Sequence, residues 1–141
     1  MPSDSSEVDA AVLAKLAADA QLAALVNGAI YFDNAPQGLT KFVLVNQRAH
    51  EEAAMMPGAT AFEKFTYIVQ AIFQGTGGPD IKTAAQRIHT ALHYQDLSIV
   101  GYQLMVMKRS ERLRYPDRDE LNNEWRHRGG IYEVWVTPTI A

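Results

Sequence analysis

Two extended runs close the chain, residues 98–115 and 121–137, and they constrain its fold more than any other feature. Each is roughly three times the usual strand, whose length peaks at about five to six residues. Tyr115-Pro116-Asp117-Arg118-Asp119 between them is rich in turn formers, so the two runs read as one long hairpin. Near its base Val100, Tyr102, Leu104 and Val106 alternate onto one face, and Tyr132, Val134 and Val136 do the same on the return. Pairing Tyr102 with Val134 aligns both sets, whereas a slip of one residue turns Glu133 inward. Beyond Met107 the character changes to Lys108, Arg109, Glu111, Arg112 and Arg114, answered by Glu120, Glu124, Arg126 and Arg128. A chain of 141 residues holds one core, which cannot cover strands of this length from end to end. Residues 108–128 are therefore expected to project as an arm. A bare two-stranded ribbon is marginal in water, so the arm is expected to order against a neighbour.

The preceding residues supply the sheet and helices that hold this hairpin. Residues 1–6 are polar and expected to fray. Val12, Leu13, Leu16, Ala20, Leu25 and Val26 form a helical stripe over about 7–26, closed by Asn27-Gly28, both tolerant of the left-handed C-cap conformation. Ile30-Tyr31-Phe32 reads as a short strand and Phe42-Val43-Leu44-Val45 as a second. Residues 48–61, with Met55-Met56-Pro57-Gly58 near the middle, read as a long loop. Residues 63–74 alternate cleanly: Phe65, Tyr67, Val69, Ala71 and Phe73 on one face, Thr66, Ile68, Gln70, Ile72 and Gln74 on the other. The glycines from Gly75 to Gly78 break this third strand. Asp80 then caps a second helix with the stripe Ile81, Ala84, Ala85, Ile88, Ala91 and Leu92. The order is α-β-β-β-α-β-β, a single α+β domain over 1–141 with a mainly antiparallel sheet and both helices on one face.

The side chains carry little chemistry. With no cysteine there is no disulfide, thiolate metal site or thiol nucleophile. A net charge of −3 argues against generic nucleic-acid binding. The N-terminus lacks the basic and apolar regions of a secretory signal, and no apolar stretch approaches the roughly 20 residues that cross a bilayer. A soluble protein made in the cytosol, without membrane contact, is expected. His89 and His93 have metal-ligand spacing, but no third ligand is evident and both lie off the apolar stripe, so they read as solvated. The Gly75–Asp80 loop lacks the Gly-Lys-Ser/Thr ending of a phosphate loop, and Asp80 would repel a phosphate. Glu51 and Glu52 are adjacent and point differently in a regular element; no serine sits in a nucleophile elbow. No catalytic, cofactor-binding or metal-ligating residue is assigned. The charge is uneven, however. Asp4, Glu7, Asp9 and Asp19 face only Lys15 at the start, while residues 105–128 carry seven Lys and Arg against five acids. Such polarity suits packing between identical subunits, with arginines of the arm meeting carboxylates of another subunit's first helix.

From Val8 to Val136 the pattern resembles the tail-completion, or tail-terminator-like (head–tail joining), proteins of long-tailed bacteriophages. The resemblance rests on the alanine- and leucine-rich first helix running into Leu25-Val26-Asn27-Gly28-Ala29-Ile30-Tyr31, and on Pro36-Gln37 with the strand Phe42-Val43-Leu44-Val45. It continues through Tyr67-Ile68-Val69-Gln70-Ala71, Asp80-Ile81-Lys82-Thr83-Ala84-Ala85 and Ile88-His89-Thr90-Ala91-Leu92 to Gly101–Met107 and the hairpin ending at Ile131–Val136. It implies a non-enzymatic virion subunit without a cofactor, assembled in the host cytoplasm into a ring, typically a hexamer, at the head-proximal end of the tail. Such a ring stops tube growth, meets the tail-tube protein and a head-completion or neck protein, and lets DNA pass without specific binding. Subunit or tube contacts are then expected at Arg109, Arg112, Arg114, Arg118, Arg126 and Arg128 in the arm and at Met55 and Met56 in the loop. The alternative reading is a small ferredoxin-like dimeric α+β-barrel enzyme or ligand-binding domain. That reading needs polar groups converging between sheet and helices, where the face of Phe65, Tyr67, Val69 and Phe73 offers one phenol. A nucleic-acid-binding accessory protein is a third reading.

Overall fold

The computed structural model describes residues 6–56, 59–75 and 78–139. In chain order the elements are α1 (Ser6–Ala17), α2 (Ala20–Val26), β1 (Ile30–Phe32), β2 (Lys41–Met56), β3 (Ala59–Gln74), α3 (Gly78–Leu92), β4 (Tyr102–Arg118) and β5 (Glu124–Pro138). The strands form one sheet in the order β1-β2-β3-β5-β4. Only the short β1–β2 pair is parallel; β2–β3, β3–β5 and β4–β5 are antiparallel. The helices pack together on one face, so the expected α+β class, element order and helix layer are those observed. The order differs from the β-α-β-β-α-β of ferredoxin-like domains.

β3 is the centre of the sheet. Its alternation turns Phe65, Tyr67, Val69, Ala71 and Phe73 under the helices, all buried. Val43 and Val45 from β2 and Tyr132, Val134 and Val136 from β5 extend that floor. α1 covers it with Val8, Val12 and Leu16, one stripe at the four-residue spacing of a helix. α2 adds Leu22 and Val26; α3 adds Ile81, Ala84, Ile88, Ala91 and Leu92. Fully burying one such aliphatic side chain is worth about 1.5–3 kcal/mol.

Several expectations are corrected. The first helix is two helices, because Asp19 leaves helical geometry and caps α2, accepting the Leu22 N–H at 2.9 Å. Its predicted stop holds: Asn27 is left-handed at φ 53°. Residues 48–61 are not a long loop. β2 and β3 continue through them as an antiparallel hairpin paired out to Met56–Ala59, with register shifts near Gln47 and Ala53. Asp80 lies within the first turn of α3 rather than capping it. Residues 1–5 are outside those described.

The C-terminal hairpin has the expected length but another register. Tyr102 pairs with Pro138 and Met107 with Val134, because the turn comes later in the chain than expected; bulges in β4 between Leu104 and Val106 and between Arg109 and Glu111 each shift the pairing by one residue. The first bulge gives the inward place to Met107, while Val100 stays exposed in the preceding turn. The turn is at 119–123, not at Pro116. There Asp119 accepts the N–H groups of Leu121 and Asn123 and the Trp125 indole N–H, at 3.0, 2.9 and 3.0 Å. Pro116 sits inside β4, which is tolerable because β4 is the edge. The expected bare ribbon over 108–128 is also corrected: β5 pairs with β3 from Val136–Glu63 to Trp125–Gln74. Only the turn reaches past the sheet.

Close approach of β3 and β5 depends on Gly129. A Cβ there would stand 2.1 Å from the Val69 carbonyl oxygen, an overlap relieved only by moving backbone. Gly129→Ala should lower stability by about 3 kcal/mol, read as a shift of the urea midpoint at constant slope. An unchanged midpoint would mean that the strands do not lie this close.

Candidate functional site

α3 lies across β3 and β5, and its outer flank faces edge strand β4. Between them opens a groove of about 650 Å³ whose charged lining is Lys82, Arg87, Arg109, Arg112 and Arg128, with His89 beside them. Among the described residues no carboxylate lines it. Arg87 is satisfied from behind: its Nε and Nη2 donate to the two oxygens of Asp19 at 3.3 and 2.7 Å. Burial works to raise the Asp19 pKa, but Arg87 and the capping N–H groups hold the carboxyl below its usual range. Lys82, Arg109, Arg112 and Arg128 remain as the groove's cations.

Two glycines shape the floor. A Cβ on Gly130 would stand 2.7 Å from Arg109 Cδ, so the glycine lets the Arg109 stem lie flat over β5. From there Arg109 bonds the Tyr132 hydroxyl, which shares a 3.2 Å hydrogen bond with His89 Nδ1. The Arg109 backbone N–H donates to His93 Nδ1 at 3.1 Å. His89 and His93 are stacked, with centroids 4.3 Å apart. They are half-buried and bonded rather than simply solvated, as their place off the apolar stripe had implied; they fasten α3 to β4 and β5. Burial, followed by Arg109, His93 and Arg112, lowers the His89 pKa. Burial pushes Tyr132 up to about 12.

The expected contact arginines divide into groups. Arg109, Arg112 and Arg128 share the groove. Arg114 stands opposite Arg128 in the strand register, a like-charge pair that costs stability without a counter-charge. With Arg126 and Arg128 it lines a second hollow beside Gly78 and Ile81 at the start of α3. Arg126 is ion-paired to Glu124, and Arg118 reaches the same carboxylate at 4.0 Å. The side chains of Met55 and Met56 lie outside the described residues. The acidic first helix is less available than its sequence implied: Asp9 accepts the Tyr67 hydroxyl at 2.5 Å, and Asp19, beyond the end of α1, holds Arg87.

Sequence reasoning missed the Gly129-Gly130 seat, although glycines inside a strand signal close backbone approach. It also missed His50, Glu52 and Glu63, brought together by strand pairing. Carrying the inward parity of Phe65 back two residues would have placed Glu63 inward.

His89 and His127 both titrate below the ordinary 6.5, each chiefly through burial. Asp117, 3.7 Å from His127, opposes the shift only in part. As pH falls through 6.5 the unfolded chain takes up two protons that the folded chain still excludes, so stability must fall on acidification. Urea midpoints should therefore drop between about pH 7.5 and about pH 5, and His89→Gln should flatten part of that slope. A flat profile would show both imidazoles to be freely solvated.

A family model described as "Tail completion protein gp17" matches residues 10–132. A chain of the solved structure "Virion of native gene transfer agent (GTA) particle" is 25% identical, with a TM-score of 0.68 over 97% of this chain and 99% of that one. A second solved chain, 10% identical, shares the fold at a TM-score of 0.59, over 94% of this chain and 96% of that one. No curated protein matches. The family match runs from α1 through most of β5, and the chain belongs to the tail completion protein gp17 family.

Proposed function

We propose that this chain is a non-enzymatic structural subunit of the tail of a long-tailed phage or phage-like particle. Its copies assemble in the host cytoplasm into a ring, a hexamer, at the head-proximal end of the tail. The ring ends tube growth, joins the tail to a head-completion or neck protein, and lets DNA pass without specific contacts. The relative found within a gene transfer agent virion favours this setting.

The observation that carries the reading is β4, a 17-residue edge strand. Its helix-side residues Arg109, Arg112 and Arg114 line hollows to which the described residues contribute no carboxylate. An edge of that length is a template for indiscriminate strand addition unless something blunts it. Two bulges, Pro116 and the charged side chains do so here. Docking through β4 is therefore side-chain recognition: carboxylates of a neighbouring subunit or of the tail-tube protein enter the arginine stripe and make charge-assisted, two-pronged hydrogen bonds. Arg118, Arg126 and Arg128 extend the stripe toward the hairpin turn. Met55 and Met56, at the end of the other hairpin, supply an apolar contact.

Arg112 and Arg114 are exposed, so reversing both leaves the core intact. Arg112→Glu with Arg114→Glu should keep the monomer's stability within about 0.5 kcal/mol and abolish assembly, followed by light scattering and electron microscopy at physiological salt. Normal assembly of that variant would remove β4 from the interface. Particles made without the gene should have overlong or unjoined tails; normal ones would overturn the function itself.

A further inference from the structure

We propose that His50, Glu52 and Glu63 form a binding site for a divalent transition-metal ion of the zinc class. β2 and β3 pair Glu52 with Glu63 and His50 with Phe65, and alternate residues of a strand share a face. The three side chains thus converge, with one ligand atom from each within 4.8 Å of the others.

The independent sign of a missing cation is Glu63. It is 2% exposed. His50 Nε2 bonds its Oε1 at 2.7 Å, while Oε2 is buried without a hydrogen-bond partner among the described residues. A buried carboxylate oxygen left unsatisfied is costly, and Glu52 directly opposite adds a second negative charge. The neighbouring Lys64 does not relieve this, because it turns to Glu51, 3.0 Å away. The His50 imidazole, bonded to Glu63, therefore stands beside two carboxylates.

The donor set names the ion. One imidazole nitrogen and two carboxylate oxygens, completed by water, suit tetrahedral zinc and related transition metals, whereas calcium and magnesium prefer oxygen alone. His50 is already oriented, stacked on Phe65 at 4.2 Å between centroids. The position gives the ion a task. Glu63–Val136 is the last pair that β3 makes with β5, so beyond it the β2–β3 hairpin has only two strands. An ion shared by His50, Glu52 and Glu63 would clasp those strands where the support of the sheet ends, and its binding would add to their stability.

Zinc titrated calorimetrically into the full chain, first stripped with a chelator, should bind at one ion per chain and raise the melting temperature. Magnesium should not bind. His50→Ala and Glu63→Gln should each weaken zinc by more than the roughly 10–100-fold that losing a ligand's hydrogen-bonding partner costs. Glu52→Gln changes an exposed side chain and should do the same, keeping the test decisive if a buried variant fails to fold. His89→Ala should leave binding unchanged. Absence of saturable zinc uptake, uptake that survives these ligand changes, uptake lost with His89, or equal uptake of magnesium would each overturn the proposal.

Discussion

Tyr67 and Tyr132 stand directly opposite each other across β3 and β5, both buried, and each sends its hydroxyl to a different helix. Tyr67 donates to Asp9 of α1; Tyr132 shares a hydrogen bond with His89 of α3. A buried phenol brings a large apolar area and a hydroxyl that must be satisfied. This pair therefore fixes the strand register and the helix positions together. Slipping β5 by one residue would take Tyr132 away from His89 of α3 and turn Glu133 under the helices. Burial and the bond to Asp9 raise the Tyr67 pKa, keeping it a neutral donor. Asp9 lies in the first turn of α1, where a negative charge is favoured by the helix dipole.

What the sequence revealed and what it hid divide along the same line. The inward residues of β3, the stripe of α3 and the Asn27 stop were legible because each expresses a local period or a local backbone preference. The distal half of β2 was not. Asn46-Gln47-Arg48-Ala49-His50-Glu51-Glu52 has a loop's composition and becomes a strand because β3 offers it a partner from Ile68 to Glu63. The bulges that shift the β4 register are equally silent: nothing in Leu104-Met105-Val106 marks which residue is passed over. The arginines were visible as a run, but their grouping was not. Arg109 and Arg112 come from β4, Arg128 from β5 and Lys82 and His89 from α3, and only the fold makes them neighbours.

The helix layer covers the middle of the sheet and leaves its two long hairpins to extend toward opposite ends of β3. β2 ends at Met56, paired with Ala59 at the start of β3, while the β4–β5 turn lies beyond Gln74, at its end. Charge is mixed at one of these ends, where Arg114, Arg118 and Arg126 stand among Asp117, Asp119, Glu120 and Glu124 and both Arg118 and Arg126 reach Glu124. Glu51, Glu52 and Glu63 gather toward the other, with Lys64 offsetting Glu51.

On the ring reading, that arrangement matters more than the total charge. A closed ring needs a heterologous contact, in which one surface of each copy meets a different surface of the next. Two unlike ends on one rigid sheet provide two such surfaces, and the strand pairing that holds them leaves little freedom between them. The bulged edge of β4 resists open-ended strand addition. Closure into a ring rather than growth into a filament is then set by the angle between the two surfaces. The Tyr67–Tyr132 register sets how far the two hairpins are offset along the sheet, because it aligns β3, which carries one, with β5, which carries the other.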